Sequence, residues 1–382
     1  MPVYHPREDS ELLRMYVKQF ARGFVLDMGT GSGVQAETAA AKRSVKKVIA
    51  VDIDKEAVAY CERHRESNKI VFGVSNLFSS LKKIRFDTII FNPPYLPKDK
   101  RESKDDAVAL AGGKKGHELL ELFLSNAGNF LKENGHILIV FSSLTNKGMV
   151  DKLIEQNGFI FDELESQKLF MEKLYCYKLE WNPVVLSVQK KVKNLAYFSH
   201  GKRGLIFTGK YKGNKVAVKI KKRDSEAVGR LKNEAKWLKR LNKEGIGPKL
   251  LYAGDHYIIY SFVEGAFILD FIEKSKAVKK VLFDVLQQCF TLDQLGVNKE
   301  EMHHPVKHIV VKDVPVLLDF ERVYKTNKPK NVTQFVQFIC SIAPLLKKKG
   351  LLVNVHTLRR YAREYKQFPD IAHLTHIMDA VL

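Results

Sequence analysis

Residues 24–33, Phe-Val-Leu-Asp-Met-Gly-Thr-Gly-Ser-Gly, leave this chain few ways to fold. An apolar run of strand length ends in Asp27 and Gly29. Gly29, Gly31 and Gly33 then make a tight turn, and the alanine-rich residues 34–41 suit a helix. Strand, glycine turn, helix is a unit that brings backbone N–H groups close to a ligand at the start of a helix. The next apolar run, 48–52, ends in Asp52, placed roughly 20 residues on, where an acid meets a ribose in a dinucleotide-type fold. Asp54 suits the cap of a following helix.

A third run, 70–74, ends at Ser75-Asn76-Leu77, where an adenine edge would be met. A fourth, 86–91, runs into Asn92-Pro93-Pro94-Tyr95. Two prolines stop the ladder, so this tetrapeptide leaves the sheet at its carboxyl end, where open α/β sheets bind ligands. Asn92 offers a carbonyl oxygen, Pro93 a free backbone carbonyl and Tyr95 a flat face. Two acceptors and a ring suit a planar NH2 group held still while a carbon electrophile approaches. A helix over 117–132, a strand over 136–141, a helix over 147–157 and strands over 159–164 and 173–181 complete the half. Alternating βα units predict a mostly parallel sheet with helices on both faces and a hairpin at one edge. His117 and His136 read as a helix-start and a strand-end residue, not as catalysts.

The glycine turn, Asp52 and Asn92-Pro93-Pro94-Tyr95 together resemble the class I S-adenosylmethionine-dependent methyltransferases with a Rossmann-like, seven-stranded sheet. The segments 3–10 (Val-Tyr-His-Pro-Arg-Glu-Asp-Ser) and 111–116 (Ala-Gly-Gly-Lys-Lys-Gly) are similar to the short archaeal and eukaryotic HemK-type glutamine methyltransferases. The resemblance covers about residues 2–181. It implies methylation of the glutamine amide in the GGQ motif of a translation release factor, with a lysine or a nucleobase as alternative acceptors. It assigns Asn92, Pro93 and Tyr95 to the acceptor amide, Asp27, Gly29 and Gly31 to the methionine end of the cofactor, Asp52 to its ribose and Asn76 to its adenine. Many relatives carry Asp at the Asn76 position. The resemblance also implies a small zinc-binding activator protein on an apolar sheet edge, and an archaeal source. Tyr4, Glu8 and Asp9 either cover the active site or cap a helix, and the charged segment 97–116 is either a substrate-contacting lid or a solvated loop.

Composition narrows the setting. Hydrophobic residues make up 45% and charged residues 28% of 382, as in core-forming proteins. No run reaches the ~18 apolar residues of a membrane span, and the start lacks a signal-peptide core. Cys61, Cys176, Cys289 and Cys340 form no CxxC pair, which points to reduced thiols in the cytoplasm. Residues 1–182 hold 27 Lys and Arg against 25 Asp and Glu; the remainder holds 37 against 18. The basic half suits RNA, a ribosome or another polyanion, whereas a heat-adapted lysine surface would be matched by acid.

Beyond Trp181-Asn182-Pro183 the pattern changes. Residues 183–194 connect, and Ser199-His200-Gly201-Lys202-Arg203-Gly204 precedes two strands, the second ending in Val216-Ala217-Val218-Lys219. Fifteen residues later Glu234 lies in a helix expected over 224–241, and a strand over 257–262 leads to a linker ending at Gly265. Leu318-Asp319-Phe320-Glu321 follows, with Glu301 eighteen residues before Asp319.

This half resembles a small two-lobed protein kinase of the archaeal, Rio-related atypical kind, spanning about 195–382. The resemblance implies an N-lobe over 195–265 and a C-lobe over 266–382. It implies ATP at Gly201, Gly204, Lys219 and Glu234, Mg2+ at Asp319 and a base at Glu301, or a regulatory pseudokinase that docks a polyanion. Asn is absent five residues after Glu301, where Val306 stands; His304 and His308 flank Pro305, which speaks against a metal-binding helix. Residues 332–382 read as helical.

Overall fold

The central apolar runs of the first half fold as strands that bury both faces. Val25, Leu26, Ile89, Ile90 and all of residues 137–141 are inaccessible to solvent, as continuous apolar strands require when helices cover both sides of a parallel sheet. A computed structural model describes residues 6–82, 84–94, 116–200, 204–221 and 229–381. The chain forms two units, Met1–Ser187 and Val188–Leu382.

In the first unit, helix α1 (Glu8–Phe20) precedes β1 (Gly23–Met28), α2 (Val34–Ala40), β2 (Val45–Asp52), α3 (Lys55–His64), β3 (Ile70–Val74) and β4 (Phe86–Phe91). Then come α4 (Glu118–Phe130), β5 (Leu131–Ser142), α5 (Lys147–Gln156), β6 (Phe159–Lys168) and β7 (Lys173–Trp181). The seven strands run in the order β3-β2-β1-β4-β5-β7-β6. Pairings from β3 across to β5 are parallel, and β7 is antiparallel to both β5 and β6. This is the Rossmann-like, mostly parallel sheet that the sequence predicts, with the expected hairpin at one edge. Asp54 caps α3 by accepting from the Glu56 amide at 2.9 Å. His136 corrects its expected place: it lies inside β5, is 4% exposed and faces Thr88 at 3.4 Å. β5 begins five residues before the apolar run because Leu131 is itself buried beside Phe86.

Helix α6 (Pro183–Gln189) contains the boundary between the units. The second unit opens with an antiparallel sheet of order β11-β12-β10-β9-β8. Its strands are β8 (Lys193–His200), β9 (Gly204–Tyr211), β10 (Asn214–Lys221), β11 (Leu250–Ala253) and β12 (Tyr257–Ser261). Helix α7 (Arg230–Leu241) separates β10 from β11 and buries Leu231, Glu234, Ala235, Leu238 and Leu241, the one-face spacing of an amphipathic helix. The helix is described from Arg230, after Gly229 at φ 80°; the expected start at 224 falls on residues 222–228, which lie outside the described residues.

Short strands β13 (Ala266–Phe267), β14 (Val297–Asn298), β15 (Ile309–Val311), β16 (Pro315–Leu317) and β17 (Tyr324–Lys325) accompany helices α8 (Ile268–Lys274) and α9 (Val278–Gln294). The tail forms α10 (Asn331–Ser341), α11 (Ala343–Lys348), α12 (Val355–Gln367) and α13 (Ile371–Asp379). One apolar core runs from Leu231 on α7 to Val381. The four cysteines are unpaired. Among the described residues no helix is long and apolar enough to cross a membrane.

Candidate functional site

Register alone assembles the first site. Met28 pairs with Val51 on one side and Phe91 on the other. The residues that follow these strands, Gly29, Asp52 and Asn92, therefore emerge side by side at the carboxyl edge of the sheet. Gly29 and Gly31 have φ of 65° and 51°, left-handed values that a side chain disfavours. Asp52 fastens this turn: its Oδ2 accepts from the Gly31 amide at 2.8 Å and its Oδ1 from the Asp54 amide at 3.0 Å. Burial raises the Asp52 pKa.

Asp27 is 2% exposed, and its Oδ2 accepts both from the Thr30 hydroxyl at 2.6 Å and from the Ala36 amide at 3.1 Å. It staples the turn to α2, and burial pushes its carboxyl up to about 7. The Cys61 thiol donates to the Gly31 carbonyl and Arg65 to the Ser32 carbonyl, supporting the turn from behind. Asn76 is exposed just past β3, and the Ser75 hydroxyl donates to Leu77, the residue at φ 47°.

Asn92 is half-buried, and Pro93 is buried. The Asn92 Nδ2 donates to Asp9 Oδ2 at 3.0 Å and lies 3.5 Å from the Ser10 hydroxyl. Its Oδ1 is buried and, among the described residues, accepts no hydrogen bond. Gln35 repeats the pattern: its Nε2 donates to the Ser10 carbonyl, and its buried Oε1 accepts none. The start of α1 thus joins the site through Asp9 and Ser10, while Arg7 is the N-cap residue and Glu8 is exposed. Tyr4, Tyr95 and residues 97–115 lie outside the described residues. His117 is the N-cap residue of α4.

The second unit builds a different site. On β10, Val216, Val218 and Ile220 face the core, so alternation puts Lys219 on the opposite face with Ala217. Its Nζ lies 2.6 Å from Glu234 Oε2, 3.0 Å from Asp319 Oδ1 and 3.6 Å from Glu321 Oε2. Burial alone would lower the lysine pKa, but Glu234 and Asp319 raise it well above its usual value. Oxygens of Glu234, Asp319 and Glu321 lie within 4.8 Å of one another, with the ammonium already bound among them.

Two residues that sequence spacing missed also meet Asp319. Lys299, 1% exposed, donates to the Asp319 carbonyl at 2.7 Å. His308 brings Nδ1 to 3.9 Å from Asp319 Oδ2, and among the described residues that nitrogen has no hydrogen-bond partner. Counting five residues from Glu301 reached Val306; turns over 301–308 add two residues and bring His308 to the site instead. The Lys299 amide is held by Asn331 Oδ1, and buried Asp293 accepts from Asn331, Val332 and Tyr365.

Asp319 and Glu301 adopt φ of 62° and 72°. Glu301 pairs with Arg322 at 3.2 Å. Gly204 opens β9 against the Ile220 carbonyl; Gly201 lies outside the described residues.

Comparison with known proteins follows the same division. Residues 8–158 match the family model of the methyltransferase small domain. A candidate protein N5-glutamine methyltransferase of Methanocaldococcus jannaschii is 36% identical over 176 residues, 45% of this chain and 88% of the relative. The release factor glutamine methyltransferase of Aquifex aeolicus is 28% identical over 168 residues, which span 40% of this chain and 59% of the relative. Among solved structures, the E. cuniculi Mtq2–Trm112 complex, described as methylating the eRF1 termination factor, gives a TM-score of 0.39 at 24% identity, covering 48% of this chain and 100% of that one.

Proposed function

The chain belongs to the methyltransferase small-domain family through its first unit, and we propose that this unit transfers methyl from S-adenosylmethionine to the glutamine amide nitrogen of a translation release factor. One observation carries the acceptor assignment: Asn92 Oδ1 is a buried acceptor with no partner, at the carboxyl end of β4. Leaving such an atom unpaired costs about 1–3 kcal/mol, and a substrate N–H removes that cost.

The residues present fit the cofactor. Asp52 and the buried acceptor Gln35 Oε1 suit a ligand that carries cationic and donor groups, and Gly29 and Gly31 leave room for close backbone approach. Gly29, Gly31 and Asp27 would hold its methionine end, Asp52 its ribose and Asn76 its adenine edge. When bound, it supplies an electrophilic methyl group on a sulfonium.

The chain itself positions the acceptor. An amide nitrogen is a weak nucleophile because its lone pair is delocalised. Asn92 Oδ1 and the Pro93 carbonyl would each take one N–H; the flat face expected of Tyr95 lies outside the described residues. Both acceptors bind more strongly as the nitrogen becomes cationic, so they favour the transition state over the ground state. The proton leaves after the methyl arrives, so no base is needed beforehand.

A small activator protein would fit the β3 edge, where Val71 and Val74 are 47% and 41% exposed beside Ile53 at 55%. Radiolabelled transfer to purified release factor, tRNA and DNA, with and without a zinc-binding activator, tests the reading. Label on the release-factor glutamine supports it; label on lysine or a nucleobase replaces it with the corresponding alternative.

The second unit is read as a nucleotide-binding, kinase-like module, supported by the Lys219–Glu234–Asp319 network. Lys219 would meet ATP phosphates, Asp319 would hold Mg2+ and Glu301 would act as base, with Gly201 and Gly204 over the nucleotide. Unchanged ATP binding in Lys219→Ala and Asp319→Ala would remove this reading.

A further inference from the structure

An asparagine amide has two ends of almost the same shape, one an acceptor and one a donor pair. Which end faces a substrate decides whether the residue welcomes an incoming NH2 or repels it. At Asn92 the choice is made by Asp9. A carboxylate only accepts, and Asp9 Oδ2 lies 3.0 Å from Asn92 Nδ2. Turning the amide over would set two oxygens against each other and present N–H groups to an N–H-bearing substrate.

Asp9 is itself held in place. It is 4% exposed, and its Oδ1 accepts from the Ser10 amide at 2.6 Å. The Ser10 carbonyl accepts from Gln35 on α2 at 2.8 Å, and Leu12, Leu13 and Val17 anchor α1 in the core. The carboxylate is therefore fixed before any substrate arrives. A charge-assisted hydrogen bond at Nδ2 also draws electron density towards Oδ1, which makes that oxygen a stronger acceptor.

We propose that Asp9 is a positioning residue of the methyl-acceptor site, fixing the Asn92 amide with Oδ1 turned to the acceptor nitrogen. This rests on the acceptor role given above to Asn92. It implies that the site selects acceptors bearing an NH2 group, because a pinned oxygen rewards only a donor.

The test is a cycle of variants of the full chain: Asp9→Asn, Asp9→Glu, Asn92→Ala and the double variant Asp9→Asn with Asn92→Ala. Methyl transfer to a purified GGQ-bearing release factor is read beside S-adenosylmethionine affinity. Asp9→Asn can offer either end to Asn92, so kcat should fall about 10–100-fold, with cofactor affinity unchanged. Asp9→Glu keeps the carboxylate and should recover part of the rate; it also serves if Asp9→Asn folds poorly. In the double variant the Asp9 change should add no further loss to that of Asn92→Ala. Full activity in Asn92→Ala removes the acceptor assignment itself. An impaired Asn92→Ala with a normal Asp9→Asn, or losses that simply multiply, or a parallel fall in cofactor affinity, overturns the positioning role and leaves the Asn92 assignment standing.

Discussion

The two candidate sites hold their key polar side chains differently. In the first, Asn92 and Gln35 each bind protein through the amide nitrogen and leave a buried oxygen unpaired. In the second, Lys219 is bound by three carboxylates at once. The first site stores unmet hydrogen-bonding capacity for a ligand. In the second the Lys219 ammonium already has carboxylate partners, so a ligand must compete with them. Removing a group should therefore damage function in the first unit and folding in the second.

Lys219→Met should give the largest effect. Glu234, 2% exposed on the core face of α7, would lose the cation 2.6 Å away and keep its neighbours Asp319 and Glu321. Breaking a buried pair by removing one partner costs about 3–5 kcal/mol. Hydrogen exchange of β10 and α7 should quicken accordingly, while β1 and β4 stay protected. Unchanged exchange at α7 would mean that Glu234 does not depend on this lysine.

Asn92→Ala should do the reverse. Losing an acceptor that works mainly in the transition state costs about 10²–10³ in kcat. Exchange in β4 should change little, since among the described residues the Asn92 side chain bonds through Nδ2 alone, to Asp9 and Ser10. A rate loss matched by general loosening of β4 would break the contrast between the units.

The first unit was legible because its signals are local: apolar runs of strand length, a glycine turn, and prolines that end a ladder. Register then follows from parallel pairing, so Gly29, Asp52 and Asn92 were bound to meet. The Asp9–Asn92 bond was not legible, because 83 residues separate its partners. In the second unit Lys219 and Glu234 could be read from strand and helix patterns. Lys299 and His308 could not, since their approach to Asp319 depends on the turns over 301–308, which carry no period to count. His136 misled because a polar residue at the head of an apolar run looks like an end, whereas β5 continues backward to Leu131.

Asp27 tests the first unit by pH. Its carboxyl is raised to about 7 by burial, above the ordinary value of 3.8. The native state therefore keeps this proton where the unfolded chain has lost it. Stability from Asp27 is complete below the unfolded value and is lost as pH rises through about 7. Between pH 5 and 7 the loss should be about 2 kcal/mol in denaturant titrations without cofactor. Asp27→Asn should remove that slope and keep both bonds, because Thr30 and Ala36 donate to the same oxygen. Equal slopes in the two proteins would place the titration elsewhere.

Glu301 should show the smallest change in stability, and that makes it useful. Unlike Glu234, it sits at the rim: its side chain is 27% exposed, and its partner Arg322 is 39% exposed. Partly exposed pairs contribute about 0.2–1 kcal/mol. Glu301→Gln keeps a hydrogen-bond acceptor for Arg322 and should cost less than about 1 kcal/mol in denaturant unfolding. A larger cost would mean that the charge is needed to hold the left-handed turn at φ 72° or to balance buried Lys299, on which Glu301 acts electrostatically. With the fold intact, Glu301→Gln tests the proposed base role cleanly: a loss of ATP turnover would support it and unchanged turnover would remove it, a separation that no substitution of Lys219 or Glu234 offers.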